Sequence, residues 1–174
     1  MRVISGKYKG KILEGFDIDG TRPTMDRVKE SLFGMIQNNI IDSVCLDLFA
    51  GSGSLGIEAL SNGASKCYFI DNNKEVIKIL NRNLDKIENS IIIKDNYDNF
   101  LNNTNEKFDI IFLDPPYKFN LINNCIDLII KNNLLSDNGL IICEYENEKI
   151  IDRLDLIKEK KYGSKNIKIY KNSN

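Results

Sequence analysis

The chain has 174 residues, 42% of them hydrophobic, and a formal net charge of −1 at pH 7. This length suits one domain, residues 1–174, and the composition excludes a disordered protein. The absence of histidine excludes Ser-His-Asp triads, Cys-His pairs and histidine-ligated metals, so we expect no metal site. No apolar run is long enough for a signal peptide or a membrane helix, which predicts a cytoplasmic protein with no membrane partner.

Short apolar runs alternate with helical spacing along the chain, which is typical of an α/β fold. Residues 1–15 suggest a small strand pair, and a helix capped by Thr24 is expected over Met25–Gln37. The strands predicted next are Val44–Phe49, Lys66–Ile70, Ile91–Ile93, Ile110–Leu113 and Leu140–Cys143. The helices predicted between them include Leu55–Leu60, Lys74–Leu84 and Leu121–Ile130.

The central strands are apolar on both faces, which predicts a parallel sheet covered by helices on both sides. The pattern changes after Glu148, where Leu154–Ile157 and Ile167–Tyr170 flank the turn Tyr162-Gly163-Ser164. These two runs predict an antiparallel hairpin that finishes a mainly parallel, seven-stranded sheet. Ligands of such sheets bind at the carboxyl ends of the strands, so functional side chains are expected there.

Positive charge is concentrated at the two ends of the chain. Residues 1–11 carry four basic side chains and no acidic one, and the last segment is rich in lysine, at Lys158, Lys160, Lys161, Lys165, Lys168 and Lys171. If both ends lie on one face, they form a basic patch that could bind phosphates. Two solvated termini are the alternative.

The cysteines show no CxxC spacing and lie in apolar surroundings, which predicts reduced thiols in the core instead of zinc ligands or disulfides. A covalent role in pyrimidine methylation is disfavoured for the same reason. The residues concerned are Cys45, Cys67, Cys125 and Cys143.

A glycine-rich turn, Phe49-Ala50-Gly51-Ser52-Gly53, follows the first buried strand and leads into a helix. Asp71 follows about 20 residues later, as in the fingerprint of dinucleotide-binding folds. Glycines let the backbone approach the ligand, and the carboxylate accepts hydrogen bonds from ribose hydroxyls. An adenosine with any tail satisfies these requirements, so a nicotinamide cofactor and S-adenosylmethionine both remain open. Asp47, near the end of the strand, would meet the ammonium group of the latter.

Asp95 ends the third predicted strand. Its carboxylate is placed to accept a hydrogen bond from an adenine amino group. The alternative is a helix cap for the segment that begins at Tyr97.

The segment Asp114-Pro115-Pro116-Tyr117 follows the fourth predicted strand. An exocyclic amino nitrogen of a nucleobase is a poor nucleophile, because its lone pair is delocalised into the ring. The Asp114 carboxylate and the Pro115 carbonyl could accept its two N–H bonds and draw the nitrogen towards tetrahedral geometry, and the prolines would hold these acceptors rigidly. Tyr117 could stack on the base. The segment predicts methyl transfer to a planar amino nitrogen; a Pro-Pro turn with a helix-capping aspartate is the alternative.

Several of these segments resemble the RsmD family. Asp47–Leu60 looks like the donor-binding motif of class I S-adenosylmethionine-dependent methyltransferases, and Asp114–Tyr117 like their amino-group motif. Val3–Lys11 and Arg22–Phe33 are similar to the amino-terminal signatures of the RsmD family, bacterial methyltransferases that act on the N2 amino group of one guanine in 16S ribosomal RNA. Tyr162-Gly163 also fits, so the resemblance covers nearly the whole chain.

The resemblance implies a Rossmann-like class I methyltransferase fold with a small N-terminal strand extension, S-adenosylmethionine as cofactor, and 16S ribosomal RNA or the small ribosomal subunit as partner. The absence of a long apolar stripe predicts a monomer. The implied donor-binding residues are Asp47, Phe49, Gly51, Gly53, Asp71 and Asp95, and those for the target guanine are Asp114, Pro115, Pro116 and Tyr117. RNA would be met by the basic extension, residues 1–22, through Lys7, Lys9, Lys11 and Arg22. Lysines stand here where arginines are usual, which would make RNA binding weaker or more salt-dependent.

Other functions remain open at this point. Methylation of adenine N6 or of a protein glutamine uses related motifs, and a nicotinamide-dependent oxidoreductase would share the glycine spacing. A non-catalytic RNA-binding module could keep the fold without turnover, although intact Asp114 and Tyr117 argue against it.

Overall fold

The computed structural model describes residues 1–15 and 22–174, without the side chains of residues 22–24. The helices of this part of the chain are α1 (Arg22–Ile40), α2 (Ser54–Ser61), α3 (Lys74–Asn83), α4 (Tyr97–Asn103) and α5 (Ile122–Lys131). The strands are β1 (Val44–Asp47), β2 (Lys66–Asp71), β3 (Ser90–Lys94), β4 (Phe108–Leu113), β5 (Leu135–Tyr145), β6 (Asp155–Tyr162) and β7 (Lys165–Lys171). None of the described helices is long and apolar enough to cross a membrane.

The strands form one seven-stranded sheet in the order β3-β2-β1-β4-β5-β7-β6. Strands β1 to β5 are parallel, and β7 pairs antiparallel with both β5 and β6. This confirms the predicted mainly parallel sheet with a C-terminal hairpin. The parallel strands all end at one edge, here called the carboxyl edge, where Asp47, Asp71 and Asp114 follow one another on adjacent strands or directly after them.

Helices cover both faces of the sheet, as the apolar strands predict. Successive side chains of a strand point to opposite faces. Phe112 of β4 packs in one cluster with Phe33 of α1 and Phe69 of β2, whereas Leu113 packs in a second cluster with Phe100 of α4. Helices α1, α2 and α3 therefore lie on one side, and α4 and α5 on the other. The cysteines are all free and buried, which confirms their prediction as core thiols.

The first helix starts earlier than its sequence suggests. It begins at Arg22, so Thr24 lies inside the first turn, and the prediction that Thr24 caps the helix was wrong. Pro23 is favourable in this position because the first N–H groups of a helix have no intrahelical partner to lose.

One buried carboxylate attaches the N-terminal segment to two helices of the fold. Glu58 of α2 has no exposed surface, and it accepts hydrogen bonds from the backbone N–H groups of Ile4 at 3.0 Å and Ser5 at 2.9 Å. The ammonium group of Lys29 in α1 lies 3.1 Å from the same carboxylate. Glu58 thus joins the N-terminal segment, α1 and α2 at a single point.

The lysine-rich ends of the chain meet the sheet at opposite ends of its strand order. The N-terminal segment, closed by an antiparallel bridge between Arg2 and Ile12, reaches the loop before β3, where Lys7 pairs with Glu88 at 2.6 Å. The C-terminal lysines lie on β6 and β7, at the other end of the strand order. With strands about 4.8 Å apart, the N-terminal lysine at the loop before β3 lies on the order of 25 Å from these strands. Arg2 and Lys160 nevertheless both reach α1, at Asp26 and Ser31, so a basic patch shared by the two ends stays a prediction.

Replacing Glu58 by alanine is expected to lower the free energy of unfolding by roughly 3–5 kcal/mol, because Lys29 would remain buried without its partner. Denaturant titration of both proteins measures the difference. Glu75→Ala is the matched control, since it removes an exposed carboxylate that pairs with Lys78 at 2.9 Å, and it should cost less than about 1 kcal/mol. Equal losses in the two variants would contradict the joining role of Glu58.

Candidate active site

The turn after β1 leaves its backbone open on one side. Gly51 has a φ of 54° and Gly53 a φ of 83°, both left-handed values that favour glycine. A Cβ atom on Gly53 would lie 2.6 Å from Leu80, whereas a Cβ atom on Gly51 would meet no atom within 4 Å. Gly53 is thus fixed by packing at the start of α2, and Gly51 borders space in which a ligand can approach the backbone.

Asp47, the last residue of β1, carries a buried carboxylate. The residue is 2% exposed, and its Oδ2 accepts a hydrogen bond from the backbone N–H of Gly56 at 3.0 Å. Burial raises the pKa of Asp47 to about 7; the Gly56 N–H opposes this shift, and the charge of Asp71 adds to it. A desolvated carboxylate of this kind gains from a cationic partner such as an ammonium group.

Asp71, the last residue of β2, and Asp95, directly after β3, lie at the carboxyl edge. Asp71 accepts a hydrogen bond from the backbone N–H of Gly51 at 3.2 Å, which holds the glycine turn in place. Asp95 accepts from the side-chain amide of Asn99 at 2.9 Å. The cap position of α4 is occupied by Asn96, so Asp95 supports the first turn of this helix without capping it. Both aspartates remain partly exposed and can reach a polar ligand.

An aromatic pair borders the same space. The rings of Phe49 and Tyr97 lie 5.4 Å apart with their planes inclined by 40°. The Tyr97 hydroxyl accepts a hydrogen bond from the side chain of Asn124 at 2.8 Å, which fixes this ring between α4 and α5. The partly exposed Phe49 therefore offers an apolar surface beside Gly51 that suits a flat ring.

The segment Asp114–Tyr117 leaves β4 next to the glycine turn. Strand β4 pairs with β1, with Phe112 opposite Asp47, so the segment begins one strand away from the turn. Within the described residues, neither the Asp114 carboxylate nor the Pro115 carbonyl accepts a hydrogen bond. The partly exposed Asp114 and this carbonyl are two available acceptors, as the sequence motif predicts.

Two further charged side chains lie beside this segment, outside the sequence motifs. Glu144, near the end of β5, accepts hydrogen bonds at Oε1 from the Tyr117 hydroxyl at 2.9 Å and from Lys165 at 2.7 Å. The ammonium group of Lys165, the first residue of β7, lies 5.8 Å from the centre of the Tyr117 ring. Glu144 directly follows the apolar run Leu140–Cys143, so the strand-end rule that selects Asp114 would also have found it.

The charges around Asp114 shift its proton affinity. Burial raises the pKa of Asp114 well above its ordinary value; the negative charge of Glu144 and, more weakly, that of Asp47 raise it further, while Lys165 opposes them. Burial also raises the pKa of Tyr117 far above its ordinary range, so its hydroxyl stays protonated and donates to Glu144. Asp114 is therefore a stronger proton acceptor than an exposed aspartate.

The N-terminal lysines lie away from the carboxyl edge. The backbone N–H of Lys7 donates to the carbonyl of Ser61, the last residue of α2, at 2.8 Å, whereas the glycine turn precedes the first residue of that helix. Eight helical residues separate these points by about 12 Å. Lys11 donates to a backbone carbonyl of the loop before β3 at 3.2 Å, and Lys9 is exposed. The side chain of Arg22 lies outside the described residues.

Comparison with known proteins gives matches over almost the whole chain. The family described as conserved hypothetical protein 95 matches residues 1–171. The ribosomal RNA small subunit methyltransferase D of Haemophilus influenzae is 40% identical over 181 residues, covering 99% of this chain and 94% of that protein.

Solved structures share the fold. The Escherichia coli protein yhhF is 34% identical and superposes with a TM-score of 0.89, covering 100% of this chain and 99% of that chain. A methyltransferase of Podospora anserina, PaMTH1, whose structure contains S-adenosylhomocysteine, superposes with a TM-score of 0.59 at 18% identity, covering 67% of this chain and 51% of that chain. At that identity the second likeness concerns the fold alone.

The buried Asp47 gives a testable pH dependence of stability. The Asp47 carboxyl group loses its proton near pH 3.8 in the unfolded chain and near pH 7 in the folded chain. Its contribution to the free energy of unfolding is therefore fully present below the lower value and lost as pH rises towards the upper one. Across this range the free energy of unfolding should fall by up to ~4 kcal/mol more in the unaltered chain than in Asp47→Asn, whose side chain does not titrate. Denaturant titrations at several pH values measure both slopes. Parallel slopes would show that Asp47 is already ionised in the folded chain at low pH.

Proposed function

The chain belongs to the RsmD family, and from this membership we propose that it transfers a methyl group from S-adenosylmethionine to the N2 amino group of a guanine in small-subunit ribosomal RNA. The curated relative that covers nearly its whole length is named for methylation of this RNA. The reaction type rests on one observation: two available acceptors, the Asp114 carboxylate and the Pro115 carbonyl, lie one strand away from the glycine turn.

The residues around the glycine turn fit the donor. Gly51 borders open space, Asp71 stands where ribose hydroxyls would donate to it, and the buried Asp47 suits the ammonium group of the methionine part. Phe49 and Asp95 would border the adenine ring and its amino group. The relative from Haemophilus influenzae is named a methyltransferase, which supports S-adenosylmethionine as the donor. When bound, S-adenosylmethionine supplies a methyl group on a positively charged sulfur.

The segment after β4 would prepare the target amino group. Asp114 and the Pro115 carbonyl accept its two N–H bonds, which directs the nitrogen lone pair away from the ring and towards the donor. The Tyr117 ring stacks on the base, and its hydroxyl bond to Glu144 at 2.9 Å restricts rotation of the side chain. Catalysis of this kind consists mainly of alignment and electrostatics, so no histidine is required.

The amino nitrogen has to lose one proton when it gains the methyl group. Asp114 is the nearest group suited to accept it, because burial and Glu144 raise its pKa and a higher pKa makes a carboxylate a better general base. Lys165 counteracts this shift and so favours the ionised carboxylate, the form that accepts the N–H bond. The balance of these two charges sets the proton affinity of the site.

The partner in this proposal is 16S ribosomal RNA or the small ribosomal subunit, with the target base unstacked to reach the pocket. RNA that extends beyond the pocket would be bound by the basic extension, residues 1–22, through Lys7, Lys9, Lys11 and Arg22, in a salt-dependent manner. We propose that the chain acts as a monomer in the cytoplasm, where ribosomal subunits are present.

Labelled methyl transfer to small ribosomal subunits that lack the modification tests this function. Mass spectrometry of the nucleosides should detect N2-methylguanosine, and mapping should place it at one position. Methylated adenine, a methylated protein glutamine or no turnover would overturn the proposal.

Variants of the two aspartates should separate transfer from donor binding. Asp114→Ala is expected to lower the transfer rate by at least about 10²–10³-fold while donor affinity measured by calorimetry stays within about twofold, because its carboxylate serves the target base. Asp71→Ala is expected to weaken donor affinity by about tenfold through loss of the ribose contact.

Asp137→Ala is the matched control, since this exposed aspartate precedes the regular pairing of β5 with β4 and should change neither quantity. If donor binding is lost with Asp114→Ala, the residue belongs to the cofactor site. Unchanged affinity in Asp71→Ala would remove that residue from it.

A further inference from the structure

Three charged side chains stand in a row beside the target-base segment. Asp114 follows β4, Glu144 lies near the end of β5, and Lys165 begins β7, and these strands are consecutive in the sheet. Leu113 pairs with Cys143, so the residues that follow them, Asp114 and Glu144, lie at the same level of the carboxyl edge. The row therefore reads carboxylate, carboxylate, ammonium across adjacent strands.

The three side chains point to the same side of the sheet. Strand side chains two positions apart share a face, and the residues two positions away from each of the three belong to one core cluster. These residues are Phe112, Ile142 and Ile167. The row thus continues the face that α1, α2 and α3 cover, which is also the face of Asp47.

The row offers hydrogen-bonding atoms that the fold itself leaves free. Both contacts of Glu144, from Tyr117 and Lys165, are made at Oε1, and among the described residues none is made at Oε2. An ammonium group has three N–H donors, and of these Lys165 gives one to Glu144 at 2.7 Å. The Asp114 carboxylate accepts none from the part of the chain that the structure describes. Among the described residues no buried side-chain nitrogen or oxygen lacks a partner, so these free atoms are accessible and a ligand can reach them.

The Watson–Crick edge of guanine has the complementary order of groups. Its O6 is an acceptor, its N1–H is a donor, and its 2-amino group carries two donors. We propose that Glu144 and Lys165 read the target as guanine, with Lys165 donating to O6 and Glu144 Oε2 accepting from N1–H while Asp114 accepts from the 2-amino group. Flipped bases are commonly recognised in this way, by hydrogen bonds to the Watson–Crick edge together with stacking. The inference rests on the proposed function and explains its choice of base.

Adenine would meet the row unfavourably. Its N1 is an acceptor and would face the carboxylate of Glu144, and its 6-amino group is a donor and would face the ammonium group of Lys165 if the base entered in the guanine orientation. Polar groups left unpaired in a desolvated site cost binding energy, which is how such sites reject near-isosteric substrates. Glu144 and Lys165 are therefore specificity-determining residues, and Asp114 remains the acceptor of the reacting group.

Small subunits reconstituted with 2-aminopurine in place of the target guanine provide the test. This base keeps the 2-amino group but lacks O6 and the N1–H, so the reacting group is unchanged while the contacts to Lys165 and Glu144 are lost. The unaltered chain should methylate guanine at least about tenfold faster than 2-aminopurine, measured as kcat/KM for label transfer.

Glu144→Gln should reverse much of this preference. Tyr117 and Lys165 hold an oxygen at the Oε1 position, so the amide NH₂ would take the place of Oε2 and face the base. This donor opposes the N1–H of guanine and matches the unprotonated N1 of 2-aminopurine. The guanine preference should fall by at least about tenfold, and Lys165→Met should reduce it as well through loss of the O6 contact. Glu159→Gln, the same change on the exposed β6, is the control that should leave the preference unaltered.

The outcomes separate base reading from a merely structural role. If Glu144 only orients Tyr117, Glu144→Gln lowers transfer to both bases by the same factor, and the inference is overturned. Equal rates on guanine and 2-aminopurine with the unaltered chain also overturn it, while leaving the proposed function intact. Absence of transfer to either subunit by a chain that binds S-adenosylmethionine overturns the proposed function and, with it, the reading of the base.

Discussion

The convergence of acidic side chains at the carboxyl edge governs the chemistry of this molecule. Parallel strands end together, so the carboxylates at their ends are brought into one neighbourhood; they are Asp47, which is buried, and Asp71, Asp95, Asp114 and Glu144, which are partly exposed. Burial and, to a lesser degree, nearby like charges raise the pKa of a carboxyl group, as they do for Asp47 and Asp114. The fold offsets this repulsion with backbone N–H groups, an asparagine amide and the ammonium group of Lys165. A site of this kind favours ligands that bring positive charge or N–H donors, which describes both a sulfonium donor and an amino group.

The same concentration of negative charge is unfavourable for RNA phosphates. Binding of a polyanion depends on lysine and arginine side chains, and the described lysines of the N-terminal segment lie at the far end of α2 instead of beside the acidic groups. The acidic edge thus lies apart from the N-terminal lysines that the proposed function assigns to the RNA backbone. Lys165 differs from the N-terminal lysines, because it lies among the carboxylates and is paired with Glu144 at 2.7 Å.

The sequence predicts the acidic edge well because the rule behind it is local. An apolar run followed by an acidic residue marks the end of a buried strand, and this identifies Asp47, Asp71, Asp95 and Asp114. The roles of Glu144 and Lys165 depend on the pairing of β5 with β7, which is a tertiary contact with no local signal. Glu58 lies inside the glycine-turn helix, where nothing in the spacing shows that its carboxylate is buried under Ile4 and Ser5. The start of α1 differs from the prediction because the helix accommodates Pro23 in its first turn, where the N–H that proline lacks has no intrahelical partner.

The contact between the N-terminal segment and Glu58 also determines when this segment can dock during synthesis of the chain. Val3 and Leu13 are buried at 1% and 2% exposure, but the surface that buries them includes α2, which ends at Ser61. At translation rates of about 5–20 residues per second, these apolar side chains wait on the order of 3–10 s for that surface to be made. The N-terminal segment therefore cannot dock before α2 has been made, and its apolar residues lack this partner throughout that interval.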